Sequence, residues 1–254
     1  MTLLMPIALA ALTWWLTTVL ALYRTGLPEE SYGRTFAYAS AIALLGLGAL
    51  LWSASQPTAF GAYVAFLAAL ALWSWHEISY FLGYVSGPRP ASCPPNLTGW
   101  QRFVHGVRAS LWHELAIIGT AVCITLLTWG QPNQVGLAVF VVLWLMRWST
   151  KLNIFLGVRN VHIEFLPPRM KYLATYMSQR HTNPLFPLSL VGGTLLTLYY
   201  SVQGLAPGAS EFAMSGSLLL ATLTALAVLE HLFLMLDLKD DRLWQLARVS
   251  QDRP

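Results

Sequence analysis

Charged residues are scarce in this chain. Asp, Glu, Lys and Arg make up 10% of its 254 residues, where an ordinary soluble domain has about 25%. That shortage, beside 56% hydrophobic residues, excludes a sizeable soluble domain and sets the class as an integral membrane protein with several spans. Cysteine is nearly absent as well: Cys93 and Cys123 are too few for a disulfide framework and read as free thiols. No Lys or Arg precedes the apolar stretch 1–22. It lacks the positive n-region of a secretory signal peptide and reads as a permanent first span. The net charge of +4 is scattered over loops rather than gathered in a stripe, so nucleic acid is not an expected partner. Also missing are a Walker loop, a dinucleotide fingerprint, a Ser-centred nucleophile elbow and any Cys-based zinc spacing.

What is present is apolar length. Seven stretches approach or exceed the ~20 residues that cross a bilayer: 3–23, 35–53, 58–84, 103–129, 134–157, 184–200 and 212–236. The expected fold is therefore all-α, a polytopic bundle of seven transmembrane helices in a single domain over 1–254. The connections 54–57, 130–133 and 201–211 carry no Lys or Arg. The other connections hold Arg24, Arg34, Arg89, Arg102, Arg159, Arg169, Lys171 and Arg180, and the tail adds Lys239, Arg242, Arg248 and Arg253. Arg108, Arg147 and Lys151 lie within spans, on the halves adjoining those basic loops. By the positive-inside rule the N-terminus is periplasmic and the C-terminus cytoplasmic. The two long inner connections are 85–102, rich in Pro and Gly, and 158–183. In the second, PPRMKYLATYMSQRH places Met170, Leu173 and Met177 at helical spacing. An amphipathic helix on the inner leaflet and an ordinary solvated loop helix are both open readings.

Three short pairs interrupt the apolar spans: His76-Glu77, His113-Glu114 and Glu230-His231. Ionisable groups inside a membrane are rare and usually functional. Counted from the inner ends at 1.5 Å per residue, each pair lies about 12–18 Å deep, near the middle of a ~30 Å core. Gly106, Ala109, Ser110, Ala116 and Thr120 line the side of the fourth helix that carries His113. Small residues of this kind make helix contacts in membranes, so His113 is expected to point into the bundle. Arg147 reaches a similar depth on the fifth helix as a charge partner. His105, Asn153, His162 and Glu164 lie nearer the inner ends, and Asp237 closes the seventh span.

Several readings of the layer stay open. It can be structural, with the carboxylates paired to Arg147 and the histidines, since buried charges require partners. It can be a di-metal (Fe/Mn) or zinc site. Di-metal bundles, however, use Glu-x-x-His one turn apart rather than adjacent pairs. It can hold a tetrapyrrole, one His serving as axial ligand among Trp73, Trp75, Tyr80, Trp112, Trp144 and Trp148. A proton path is the remaining reading.

The stretches HEISYFLGYVSGPR (76–89), LWHELAII (111–118), LTWGQPNQVGL (127–137), LWLMRWSTKLNIFLGVRNVHIEFLP (143–167) and NPLFPLS (183–189) together resemble the photosynthetic complex assembly family often called PuhE. The likeness covers about 75–189, with an echo in LEHLFLMLDLKDDRLW (229–244). It implies a purple phototrophic bacterium, an inner (intracytoplasmic) membrane location and a gene near that of the reaction-centre H subunit. It implies an assembly factor that binds bacteriochlorophyll, a precursor, or nascent reaction-centre or light-harvesting subunits. Bacteriochlorophyll biosynthesis enzymes are further implied partners, beside the lipid bilayer itself. A membrane metalloenzyme of bacteriochlorophyll biosynthesis and a purely structural scaffold are the alternatives. The resemblance gives a process and not a reaction.

Overall fold

Seven long apolar helices account for most of the chain. The computed structural model describes residues 3–236. The helices are α1 (Leu4–Thr25), α2 (Tyr32–Ala54), α3 (Ala59–Phe81), α4 (Gly99–Leu127), α5 (Val135–Leu156), α6 (Leu185–Gly204) and α7 (Glu211–Phe233). All seven are long and apolar enough to cross a membrane. No strand occurs among the described residues; one isolated bridge pairs Val158 with Gln179. Each helix falls within a few residues of its expected span. Asp237 and the basic tail residues Lys239, Arg242, Arg248 and Arg253 lie outside the described residues, as does the end of the 229–244 stretch.

Local chemistry sets several helix ends. Thr58 caps α3 by accepting from the Gly61 amide at 3.0 Å. Ser210 caps α7 by accepting from Ala213 at 3.1 Å. Asn183 accepts from the amides of Leu185 and Phe186 and starts α6, with Pro184 just before the first turn. These are the side chains that satisfy free N–H groups at a helix start. Gly157 ends α5 at φ 124°, a conformation that L side chains rarely adopt.

α3 is the centre of the bundle and packs on α1, α2, α4, α5 and α7. Its sequence explains why. Ala62, Ala65, Ala68 and Ala69 are buried and small, so neighbouring backbones approach closely. Gly46 of α2 lies against Ala68 and Ala71, and Gly216 of α7 lies against Val135. The apolar core between these helices holds Leu50, Phe66, Ile117, Val139, Phe140 and Leu219. Leu44, Leu45, Leu126 and Leu188 point outward, a surface suited to lipid rather than water.

The second long connection, 158–183, contains no α-helix. It forms a 3-10 helix, Pro168–Tyr176, packed on α4. Met170 and Tyr176 are buried against the protein, while Leu173 and Met177 are half-buried. Arg102 fixes the end of this segment by donating to the carbonyl of Tyr176 at 2.6 Å and to Ser178 Oγ at 3.0 Å. The other long connection is tied to it. Arg89 donates to Tyr176 Oη at 3.1 Å and bonds His105 Nδ1 at 3.1 Å, while Tyr176 Oη donates to the carbonyl of Ala91. Burial pushes the Tyr176 phenol up from its ordinary range.

Candidate functional site

The first two of the three pairs meet in one layer. His76 and Glu77 come from α3, His113 and Glu114 from α4. α5 supplies Arg147 and Lys151, one turn apart and therefore on one face. Arg147 Nη2 donates to Glu77 Oε2 at 2.8 Å. Lys151 Nζ donates to Glu114 Oε1 at 2.7 Å, and Trp148 Nε1 donates to Glu114 Oε2 at 2.6 Å. Two parallel ion pairs thus bolt α5 to α3 and to α4. Arg147 also lies over the Phe81 ring and Lys151 over the Tyr80 ring, contacts that favour a desolvated cation.

The two histidines lie between these bolts. His113 is fully buried, and its ring stacks on Tyr80 with centroids 4.3 Å apart. His76 stands edge-on to it at 6.4 Å. Neither ring nitrogen of His113 has a hydrogen-bond partner; Nε2 faces Glu77 Oε1 at 3.9 Å, and that oxygen is likewise without one. His76 Nε2 bonds Thr120 Oγ1 of α4 at 3.0 Å.

The position of His113 is set by an unusual contact. Residues 85–89 wedge against α4: the His113 amide donates to the Ser86 carbonyl at 3.0 Å, and the Arg89 amide to the Arg108 carbonyl at 3.3 Å. Gly87 presses so closely on the backbone of Arg108 and Ala109 that no Cβ fits there. Tyr172 Oη takes the Ala109 carbonyl at 3.4 Å. Both long connections therefore reach the helix that carries His113.

The third pair divides. Glu230 turns to a cavity of about 220 Å³ lined by α1, α3, α5 and α7, whose wall includes Trp14, Thr17, Glu77, Arg147 and Thr150. Trp14 hydrogen-bonds Glu230. His231 turns the other way. Its Nδ1 sits 2.8 Å from the Ala227 carbonyl, which can only accept, so the proton is on Nδ1. Nε2 is 2.8 Å from Ser149 Oγ, which also meets Ser189 Oγ at 2.8 Å. Asn153 donates to Ser189 Oγ at 2.9 Å. His231 and Asn153 are thus parts of a latch joining α5, α6 and α7. His105 belongs to the loop clamp with Arg89. His162 and Glu164 form a more exposed pair at 3.1 Å, away from the layer.

The arrangement does not fit either expected cofactor. A tetrapyrrole ligand needs an imidazole nitrogen facing a slot wide enough for a macrocycle. His113 is stacked on Tyr80 and faces Glu77, and His76 Nε2 is taken by Thr120. The cavity holds no histidine in its wall and is smaller than the ~300–1,000 Å³ of typical ligand pockets. For a metal the donors are dispersed. Among the described residues no group of three or more His, Cys, Asp or Glu could hold an ion.

Lys151 is missed by depth counting, because its long side chain reaches along the helix to a layer about one turn away. The α1 contribution, Trp14 with Thr17 and Thr18, is missed because that helix reads as uniformly apolar. Its signal is the cluster TWWLTT within a span.

The family described as "Protein of unknown function (DUF3623)" matches residues 1–254. A protein of Rhodobacter capsulatus, named "Uncharacterized 30.4 kDa protein in puhA 5'region", is 36% identical over 246 residues, covering 95% of this chain and 89% of its own. No solved structure matches.

Proposed function

The chain belongs to the family described as "Protein of unknown function (DUF3623)", and we propose that it acts in building the bacterial photosynthetic apparatus. The relative named for the puhA 5'region of Rhodobacter capsulatus supports that process. So does the resemblance of 76–89 and 143–167 to the PuhE assembly family. In this reading the protein sits in the inner (intracytoplasmic) membrane, N-terminus periplasmic, and contacts nascent reaction-centre or antenna subunits through lipid-facing helix surfaces.

The observation that carries the choice among mechanisms is the pairing of the layer's carboxylates with the cations of α5. Glu77 is committed to Arg147 and Glu114 to Lys151 and Trp148, while His231 is committed to Ser149. The layer then serves as a rigid lock, and the outward surfaces of α4 and α6, including Trp112, Leu188 and Leu195, are what remains for partners.

The test is deletion of the gene in a phototrophic host. Loss of assembled reaction-centre and antenna absorption, with no bacteriochlorophyll precursor accumulating, is the expected result. Accumulation of a precursor would replace this reading with the metalloenzyme.

A further inference from the structure

The cavity between α1, α3, α5 and α7 carries more acidic than basic groups. Its ionisable groups are Glu77, Glu230 and Arg147: two carboxylates and one guanidinium. The second ion pair cannot correct the imbalance, because Lys151 is already on Glu114. The threonine hydroxyls of the wall add acceptors only. Thr17 donates its proton to the Thr13 carbonyl at 2.8 Å, Thr18 to Trp14 at 2.8 Å and Thr150 to Met146 at 3.1 Å. Each oxygen keeps lone pairs and has no hydrogen to offer. Glu77 Oε1 is buried without a hydrogen-bond partner, and the fully buried His113, with neither ring nitrogen bonded, faces that same oxygen. The apolar wall contains the aromatic rings of Trp14, Trp73 and Phe81.

A buried carboxylate without a countercharge is costly. An anion would face two carboxylates with one guanidinium already engaged. A bare inorganic cation is far smaller than the space. The site needs one positive charge, hydrogen-bond donors for the acceptors, and an apolar body for the aromatic wall, whose ring faces attract cations. From this geometry we infer that the cavity binds an organic ammonium group, held by Glu230 and the Thr17 and Thr150 oxygens. The inference stands on the cavity alone and is independent of the photosynthetic reading.

The probe is n-butylammonium chloride, titrated by calorimetry into the full-length protein in mild detergent, with n-butanol and sodium chloride as parallel titrants. Saturable binding of butylammonium at one site per chain is expected, with no comparable binding of the other two. Glu230→Gln is expected to weaken it about tenfold or more. Thr17→Val, a near-isosteric change away from the ion pairs, is expected to weaken it about threefold by removing one acceptor; it keeps the test decisive should Glu230→Gln fail to fold. Equal binding of butanol would show an apolar hole only, and equal binding of sodium an inorganic cation site. Either result, unchanged affinity in Thr17→Val, or no butylammonium binding overturns the proposal.

Discussion

The amide of His113 donates a hydrogen bond out of its own helix, to the carbonyl of Ser86 3.0 Å away. The chain after α3 therefore returns to α4 as a backbone wedge, and Gly87 makes that possible because a Cβ would collide with the backbone of Arg108 and Ala109. Gly87→Ala is expected to destabilise by about 3 kcal/mol through forced displacement of packed backbone. Gly48→Ala is the control. That position meets nothing within 4 Å, and replacing a helical glycine there should be neutral or stabilise by about 0.5–1 kcal/mol. Thermal unfolding of both variants in the same detergent checks the difference.

The Arg147–Glu77 pair is expected to behave as a buried unit. Arg147→Met leaves Glu77 uncompensated and should cost about 3–5 kcal/mol. The double variant Arg147→Met, Glu77→Gln should recover much of that loss. Denaturant unfolding of the wild type, the two single variants and the double variant gives the coupling directly. Additive effects would show that the pair does not lock α3 to α5.

The latch at His231 predicts a local effect. Ser149→Ala leaves Nε2 of His231 without its partner, while Ser189 keeps Asn153 and the Leu185 carbonyl, and should cost about 1–3 kcal/mol. Hydrogen exchange is expected to rise across α6, which has little other buried contact beyond α7, and to stay unchanged in α3. A uniform rise through the whole bundle would contradict the assignment.

The loop clamp depends on a protonated phenol, since Tyr176 donates to the carbonyl of Ala91. Burial raises its pKa in the folded protein. The sign follows: a raised folded pKa favours the protonated form. The contribution is complete below the ordinary tyrosine pKa of about 10 and is lost as pH rises through the raised value. Limited proteolysis within 85–98 should be slow near neutral pH and accelerate above about pH 10. In Tyr176→Phe it should already be fast at neutral pH.

Much of the fold is legible from hydropathy, because a bilayer requires each span to satisfy its backbone internally and so makes helix length readable. The seven helices, and the meeting of His76, His113 and Arg147 in one layer, follow from that counting. Which carboxylate meets which cation does not, because rotation of a helix about its axis is fixed by packing that no single span records. Glu114 joins Lys151 rather than Arg147 for this reason. Glu230 and His231 are adjacent in sequence, yet about 100° apart on the helix they serve a cavity and a latch on different sides. The wedge at Ser86 was out of reach for another reason. SGPRP reads as a turn-rich loop, and only the close approach of α4 shows why Gly87 is needed there.

The most direct test of the account is an absorption spectrum with metal analysis of the protein purified in mild detergent from a phototrophic host. Carboxylates already held by Arg147 and Lys151 predict neither a tetrapyrrole band nor iron, manganese or zinc at one equivalent per chain. A one-to-one tetrapyrrole band with matching magnesium, abolished in His113→Phe, would contradict it and make His113 an axial ligand.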